Sequence, residues 1–349
     1  MASIKVPNIT IAGMSAAVPK KIVENEQNPY FPADDVKKFM TTTGVERFRA
    51  GPECTSDLCY EASERLIKEL GWDKSEIELL VFLSQSADYL LPNTAPILQD
   101  RLGLPKSCIA FDMTLGCSGY IYGLSTVASY MAGGSIKKAL FLCGDTPSRS
   151  VNARDKTSAM LFGDAGTATA VQYTEGTEGM SFCLGSDGAG YKAIIVPDGG
   201  HRNRITEASL VEHEIEEGVI RNKTNLFLDG MDVFSFGISQ APASVKETMA
   251  AFNETNEGIN FFVFHQANMM MNEMIRKKLK LTKEQVPYSL RNFGNTSSAS
   301  IPLTMITEIR EQLTQGKNRM LLCGFGVGLS WGSCVLNTEN LVIPELIEI

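Results

Sequence analysis

The chain has 349 residues, 44% of them hydrophobic and 21% charged, with a formal net charge of −8. That balance marks a folded globular protein, excludes a disordered one, and argues against nucleic acid as the main partner. No run of about 18 apolar residues occurs, and the start, MASIKVPNITIAGM, lacks a charged stretch followed by a long apolar one, so a cytoplasmic protein without membrane association is expected.

The length exceeds what one core usually covers, so two domains or two halves of one layered fold are expected. Eight Cys without a C-x-x-C pair suit buried thiols in a reducing compartment, and three His leave little for a metal site. Residues 8–16 form an apolar strand pattern, and the proline-containing stretch 19–32 reads as loop. A helix follows over 35–40. Residues 55–70 form a second, with Ser56 or Asp57 as cap, apolar positions at Leu58, Ala62, Leu66 and Leu70, and Gly71 as its stop. A strand is expected over 79–84 and a short helix over 93–102, capped by Asn93 or Thr94.

The stretch 109–145 organises the rest. It runs strand, tight turn (Gly116, Cys117, Ser118, Gly119), amphipathic helix, double-glycine stop at Gly133 and Gly134, and strand. Tyr120, Leu124, Val127, Ala128 and Met131 recur at helical spacing. Cys117 therefore sits at a helix N-terminus, where unpaired N–H groups favour thiolate. A buried thiol in a core helix is the plainer alternative.

In the second half, strands are expected over 180–186 and 193–196, helices over 234–252 and 269–279, and between them a very apolar strand over 260–264. A helix over 303–313 has Pro302 in its first turn, and strands over 320–323 and 330–336 end the chain. Alternating strands and helices give an α/β fold with largely parallel central strands. A glycine turn between β-type runs recurs at 161–172 and 323–337, a faint echo that places a boundary near residue 172.

Two more stretches carry chemistry. His265 directly follows the strand 260–264, and Asn295 follows Gly294 in RNFGNTSSASIP. With Cys117 they share one placement, at the C-terminal end of a strand or in the loop after it, where open α/β sheets hold ligands. Cys117 then suits a nucleophile, and His265 and Asn295 suit neutral N–H donors to a developing enolate or oxyanion. A papain-type protease uses the same three residue types, but Asn295 here lies in a glycine turn without that family's surroundings. The glycines Gly324, Gly326 and Gly328 form a turn whose backbone N–H could reach the same carbonyl.

The segments FDMTLGCSGYIYGL (111–124), LFGDAGTA (161–168), FHQAN (264–268) and RNFGNTSSASIP (291–302) resemble, in that order, the β-ketoacyl-acyl carrier protein synthase III family. The similarity extends from IAGMSAAVP (11–19) to FGVGLSWGSCVL (325–336). It implies a thiolase-like fold with two pseudo-symmetric halves, each with a mixed five-stranded sheet, layered α-β-α-β-α, and a homodimer. Residues 1–172 would carry the nucleophilic Cys117, and residues 173–349 the catalytic His265 and Asn295.

The implied reaction is a decarboxylative Claisen condensation of an acyl thioester, through acyl-Cys117, with malonyl-acyl carrier protein, in fatty acid or related lipid or polyketide biosynthesis. The alternatives are an acyltransferase to a hydroxyl or amine without decarboxylation, and a non-catalytic acyl-binding partner subunit. The backbone N–H groups of Cys117 and Val327 would form the oxyanion hole. Leu91, reaching into the partner subunit, and Phe234 match positions lining the acyl pocket, Gly230 and Asn268 lie near the pantetheine arm, and Lys156 matches an Arg of the CoA clamp. No cofactor or metal is implied, the partners being acyl carrier protein or acyl-CoA.

The run KFMTTTGV (38–45) departs from the family's W-I-x-x-R-T-G-I, with Lys38 and Thr42 replacing the Trp and Arg that sandwich the CoA adenine. Adenine stacking is lost, which leaves the acyl donor open. Val327 also stands where many members have Gly. Because carrier protein is acidic and this chain is net negative, docking calls for a local basic face, and Arg276, Lys277, Lys278, Lys280 and Lys283 supply one beside the His265 motif.

Overall fold

A computed structural model describes residues 1–349. Two mixed sheets form the body. The first orders its strands Ile347–Glu348, Ile9–Val18, Ala165–Tyr173, Lys138–Asp145, Leu79–Leu83 and Ile109–Met113. The second orders Ala2–Val6, Met180–Ser186, Ser330–Glu339, Lys317–Gly326 and Phe261–Phe264. Four strands in each repeat one polarity pattern. Leu79–Leu83 runs parallel to Lys138–Asp145, which is antiparallel to Ala165–Tyr173, itself antiparallel to Ile9–Val18. Phe261–Phe264, Lys317–Gly326, Ser330–Glu339 and Met180–Ser186 follow the same sequence of parallel, antiparallel, antiparallel. The two chain ends are exchanged: Ala2–Val6 edges the second sheet and Ile347–Glu348 the first.

Two helices, Gly119–Met131 and Ser300–Glu308, lie between the sheets and pack against strands of both. The residues at helical spacing after Cys117, namely Tyr120, Leu124, Val127, Ala128 and Met131, are fully buried there among strand residues of both halves. Thr55–Leu70 and Thr94–Arg101 cover the outer face of the first sheet, and Gly230–Phe252 and Met269–Lys278 that of the second. The result is the α-β-α-β-α layering of a thiolase fold, but the first sheet has six strands where five were expected, because Ile347–Glu348 pairs onto the edge of Ile9–Val18.

Local expectations failed where long-range partners decided. The helix Thr55–Leu70 has the expected bounds, but its cap is Cys54, whose N–H donates to Asp57 at 3.0 Å. Thr94–Arg101 has Asn93 at its N-cap without a side-chain bond, and the orphan N–H groups of Thr94 and Ala95 are instead received by Asp112 at 2.7 and 2.6 Å. The helix expected over 303–313 starts earlier and breaks at Ile309 into Ser300–Glu308 and Arg310–Thr314. The hairpin of His213–Glu216, which is exposed, and Val219–Arg221, which is buried to half-buried, had no apolar alternation to announce it.

Candidate active site

Cys117, His265 and Asn295 line one cavity of about 1070 Å³, although they come from three separate stretches and both halves of the molecule. Cys117 lies just before the helix Gly119–Met131, in a turn closed by the Gly119 N–H on the Gly116 carbonyl at 2.7 Å. The neighbouring Ser118 hydroxyl bonds that of Ser330 at 2.6 Å and ties the turn to the second half. At Gly326 a Cβ would stand 2.5 Å from Cys117 Cβ and 2.9 Å from its sulfur, so the strand end Lys317–Gly326 closes on the thiol only because that position is Gly. Val327 and Ser297 border the cavity with Cys117, and the backbone of Val327 and of Cys117 with the Ser297 side chain favours the charged sulfur.

His265 follows Phe261–Phe264, and its N–H donates to the Cys323 carbonyl at 2.9 Å. Its Nδ1 is 2.7 Å from the Ser300 hydroxyl, which accepts from the Gln266 N–H at 3.4 Å. A Ser300 hydroxyl that donates to Nδ1 places the imidazole hydrogen on Nε2. The ring meets Phe325 edge-on at 5.6 Å. Asn295 is held by the first half: its N–H donates to the Leu161 carbonyl at 2.9 Å, and its own carbonyl accepts from Gly163 at 3.1 Å. Gly294 has φ 63°, and a Cβ there would collide with the Leu161 carbonyl oxygen. Asn295 Oδ1 accepts from the Ser297 N–H at 2.9 Å, which orients the amide and leaves its NH2 as the available donor.

Electrostatics corrects one expectation. The helix N-terminus was expected to favour thiolate, yet burial pushes the Cys117 thiol up to about 11, with Asp145 adding to the rise, and the bonds to Val327, Ser297 and its own backbone only partly oppose it. Burial drives His265 down to about 3, against the Ser297 carbonyl. Both shifts disfavour a thiolate–imidazolium pair of the papain kind. The resting site is a neutral thiol facing a neutral imidazole.

Asp145, unremarked in the sequence, links the parts. It ends the strand Lys138–Asp145 fully buried; Oδ1 accepts from the Gln85 N–H at 2.7 Å and Ser84 Oγ at 3.1 Å, and Oδ2 from the Ser298 N–H at 3.2 Å and Oγ at 2.7 Å. Burial raises its pKa while the Ser298 bonds lower it. Asp145→Ala strands these donors in the interior, and a loss of about 3 kcal/mol in unfolding free energy is expected by denaturant titration, with Asn295 set loose.

Of the other expected residues, Phe234, Gly230, Asn268 and Val327 line the cavity. Asn268 also caps Met269–Lys278 through the Met271 N–H at 2.8 Å, and Gly230 opens Gly230–Phe252. Lys156 is outside the lining, its ammonium donating to the Glu217 carbonyl. Leu91 is 83% exposed within an apolar loop with Tyr89 and Leu90 and does not line the cavity of this chain. Lys38 and Thr42 are exposed on the helix Ala33–Thr43, whereas its Phe39 and Thr43 reach the cavity. Lys277, Lys278, Lys280 and Lys283 are exposed, but Arg276 is buried, paired with Glu273 at 2.8 Å and donating to the Leu281 carbonyl at 2.6 Å.

The duplicated sheets, the inner helices between them and a Cys at an inner-helix terminus define a thiolase-fold acyltransferase. Residues 111–188 match the family model described as 3-oxoacyl-[acyl-carrier-protein (ACP)] synthase III, and residues 249–338 its C-terminal counterpart. A putative 3-oxoacyl-[acyl-carrier-protein] synthase 3 of Campylobacter jejuni is 32% identical, over 97% of this chain and 96% of that one. A β-ketoacyl-[acyl-carrier-protein] synthase III of Staphylococcus saprophyticus is 31% identical, over 94% and 98%. The crystal structure of a 3-oxoacyl-(acyl-carrier protein) synthase from Burkholderia xenovorans LB400 superposes with a TM-score of 0.94 at 36% identity, covering 100% of this chain and 99% of that one. The chain belongs to the 3-oxoacyl-acyl carrier protein synthase III family.

Proposed function

We propose that the protein condenses an acyl thioester with malonyl-acyl carrier protein, with loss of carbon dioxide, in fatty acid biosynthesis. The observation that carries this is the convergence of Cys117, His265 and Asn295 on one cavity in a neutral thiol and imidazole state. Residues 1–172 supply the nucleophile and residues 173–349 the two donors. The Cys117 sulfur attacks the acyl carbonyl, the tetrahedral oxyanion is held by the Cys117 and Val327 N–H groups, and the carrier thiol leaves with the proton. Malonyl thioester then enters. Its carboxylate bond breaks to release carbon dioxide, and the electron pair passes into an enolate whose oxygen is held by His265 Nε2–H and the Asn295 NH2. The enolate carbon attacks acyl-Cys117, and the cysteine sulfur departs as a thiolate that takes a proton from solvent to restore the thiol, leaving the β-ketoacyl thioester on the carrier. The thioesters drive each step, so no cofactor enters.

Phe234, Gly230 and Asn268 shape the acyl and pantetheine path. Lys277, Lys278, Lys280 and Lys283 form the docking face for acidic carrier protein, with Arg276 fixing the helix end beneath them. The apolar loop Tyr89, Leu90 and Leu91 suits burial in a homodimer, with Leu91 entering the partner's cavity. No helix is long and apolar enough to cross a membrane, and a cytoplasmic enzyme is part of this reading. With Lys38 and Thr42 exposed on Ala33–Thr43 and Lys156 engaged by Glu217, an adenine clamp is absent from these positions, which favours carrier-bound over CoA-bound acyl donors.

The test is release of labelled carbon dioxide from malonyl-carrier protein in the presence of acyl-carrier protein and acyl-CoA donors. Release matched one to one with β-ketoacyl product is expected. Acyl transfer to a hydroxyl or amine without carbon dioxide would make the protein a plain acyltransferase, and absence of any acyl adduct would make it a non-catalytic binding partner.

A further inference from the structure

Granting Cys117 as the acyl acceptor, the cavity wall also indicates what kind of acyl group arrives. The lining is mainly hydrophobic, and Arg221 is the only Lys or Arg in it. Arg221 ends the strand Val219–Arg221, with a side chain only 10% exposed. Its Nε lies 3.3 Å from Asp155 Oδ2, an ion pair without hydrogen-bond geometry, and both Nε and Nη1 are buried without any hydrogen-bond partner. The guanidinium carbon sits 4.9 Å over the Phe227 ring. Asp155 is itself engaged, Oδ1 accepting from the Thr157 N–H at 2.9 Å and its hydroxyl at 2.6 Å.

A purely structural arginine would have its buried donors satisfied, because each unpaired one costs about 1–3 kcal/mol. A guanidinium that borders a substrate cavity, stacked on a ring, steadied by a counter-charge and with two buried donors unpaired, is instead a ready donor site for a planar oxyanion. We propose that Arg221 receives a carboxylate at the distal end of the acyl chain, so that the starter unit is an ω-carboxyacyl thioester rather than a plain alkanoyl one. Asp155 already offsets part of the positive charge, which suits a singly charged carboxylate better than a phosphate dianion.

The experiment is single-turnover acylation of the full-length protein followed by intact mass spectrometry, using succinyl-, glutaryl- and adipoyl-carrier protein against butyryl-, valeryl- and hexanoyl-carrier protein. Keeping one carrier cancels any contact of Arg221 with the phosphates or amides of the arm. In the wild type, at least one carboxylated member should acylate faster than its plain counterpart. Arg221→Met should slow that member by about tenfold or more and leave the plain chain within roughly threefold, while Arg221→Lys, a charge without the fork, should fall between. A wild-type preference for plain chains throughout, or an equal loss for both classes in Arg221→Met, would overturn the inference and leave Cys117 as acyl acceptor. Absence of an adduct from either class would overturn the Cys117 assignment, and this inference with it.

Discussion

Cys117→Ala is expected to yield no acyl adduct on any donor and to lower condensation by roughly a thousandfold or more, because a residue that acts as one unit with its partners takes nearly all of the catalysis with it. The fold should survive. Removing a sulfur from a partly accessible wall of the cavity leaves the Ser118–Ser330 bond and the buried helix residues untouched. The pH dependence of the first step separates this reading from a thiolate–imidazolium pair. With the Cys117 thiol pushed up to about 11, the reactive thiolate increases about tenfold for each pH unit gained below that value, so single-turnover acylation should climb steadily from pH 7 to 9. A plateau beginning near pH 7 would mean a stabilised thiolate and would reject the neutral site. Normal condensation by Cys117→Ala would reject the covalent route.

The turn that carries Cys117 was legible because its signals are local. An apolar strand, a glycine turn, helical spacing and a double-glycine stop all lie within one stretch, and the structure realises them as Ile109–Met113, Gly119–Met131 and Lys138–Asp145. His265 and Asn295 could be singled out as polar residues after a strand or in a glycine turn, but their convergence with Cys117 depends on the stacking of two sheets, which periodicity does not encode. Asp145 was missed for the same reason. Locally it is one acid at the end of an apolar strand, and its partner Ser298 is brought to it only when the halves close. Arg221 lies in a polar hairpin that looks like surface in the sequence, and its burial follows from Asp155 and Phe227 packing around it. The thiolate expectation failed on magnitude. A helix terminus acts over one turn, while removing a thiol from water acts on its whole charge, and at Cys117 the second effect is larger.

His265→Ala and Asn295→Ala should separate the two halves of the reaction. In the proposed mechanism neither side chain takes part in forming acyl-Cys117, whose oxyanion is assigned to backbone N–H groups, so the adduct should still appear within a few minutes of mixing. Condensation should fall by about a hundred- to a thousandfold in each single variant, the usual cost of one donor to a developing oxyanion. The double variant should lose much less than the product of the two, because both donors serve one enolate oxygen. The pH profile carries the sign. A histidine driven down to about 3 is already neutral at pH 5 and stays so upward, and the protonated form becomes dominant only below about 3. The decarboxylation rate of preformed acyl-enzyme should therefore show no step near pH 6.5. A step there would mean that His265 titrates as an exposed histidine does, and that an imidazolium rather than a neutral Nε2–H faces the enolate. Ser300→Ala sharpens the point: losing the hydroxyl that donates to Nδ1 frees the ring to place its hydrogen on either nitrogen, and decarboxylation should drop about tenfold while acylation is unchanged.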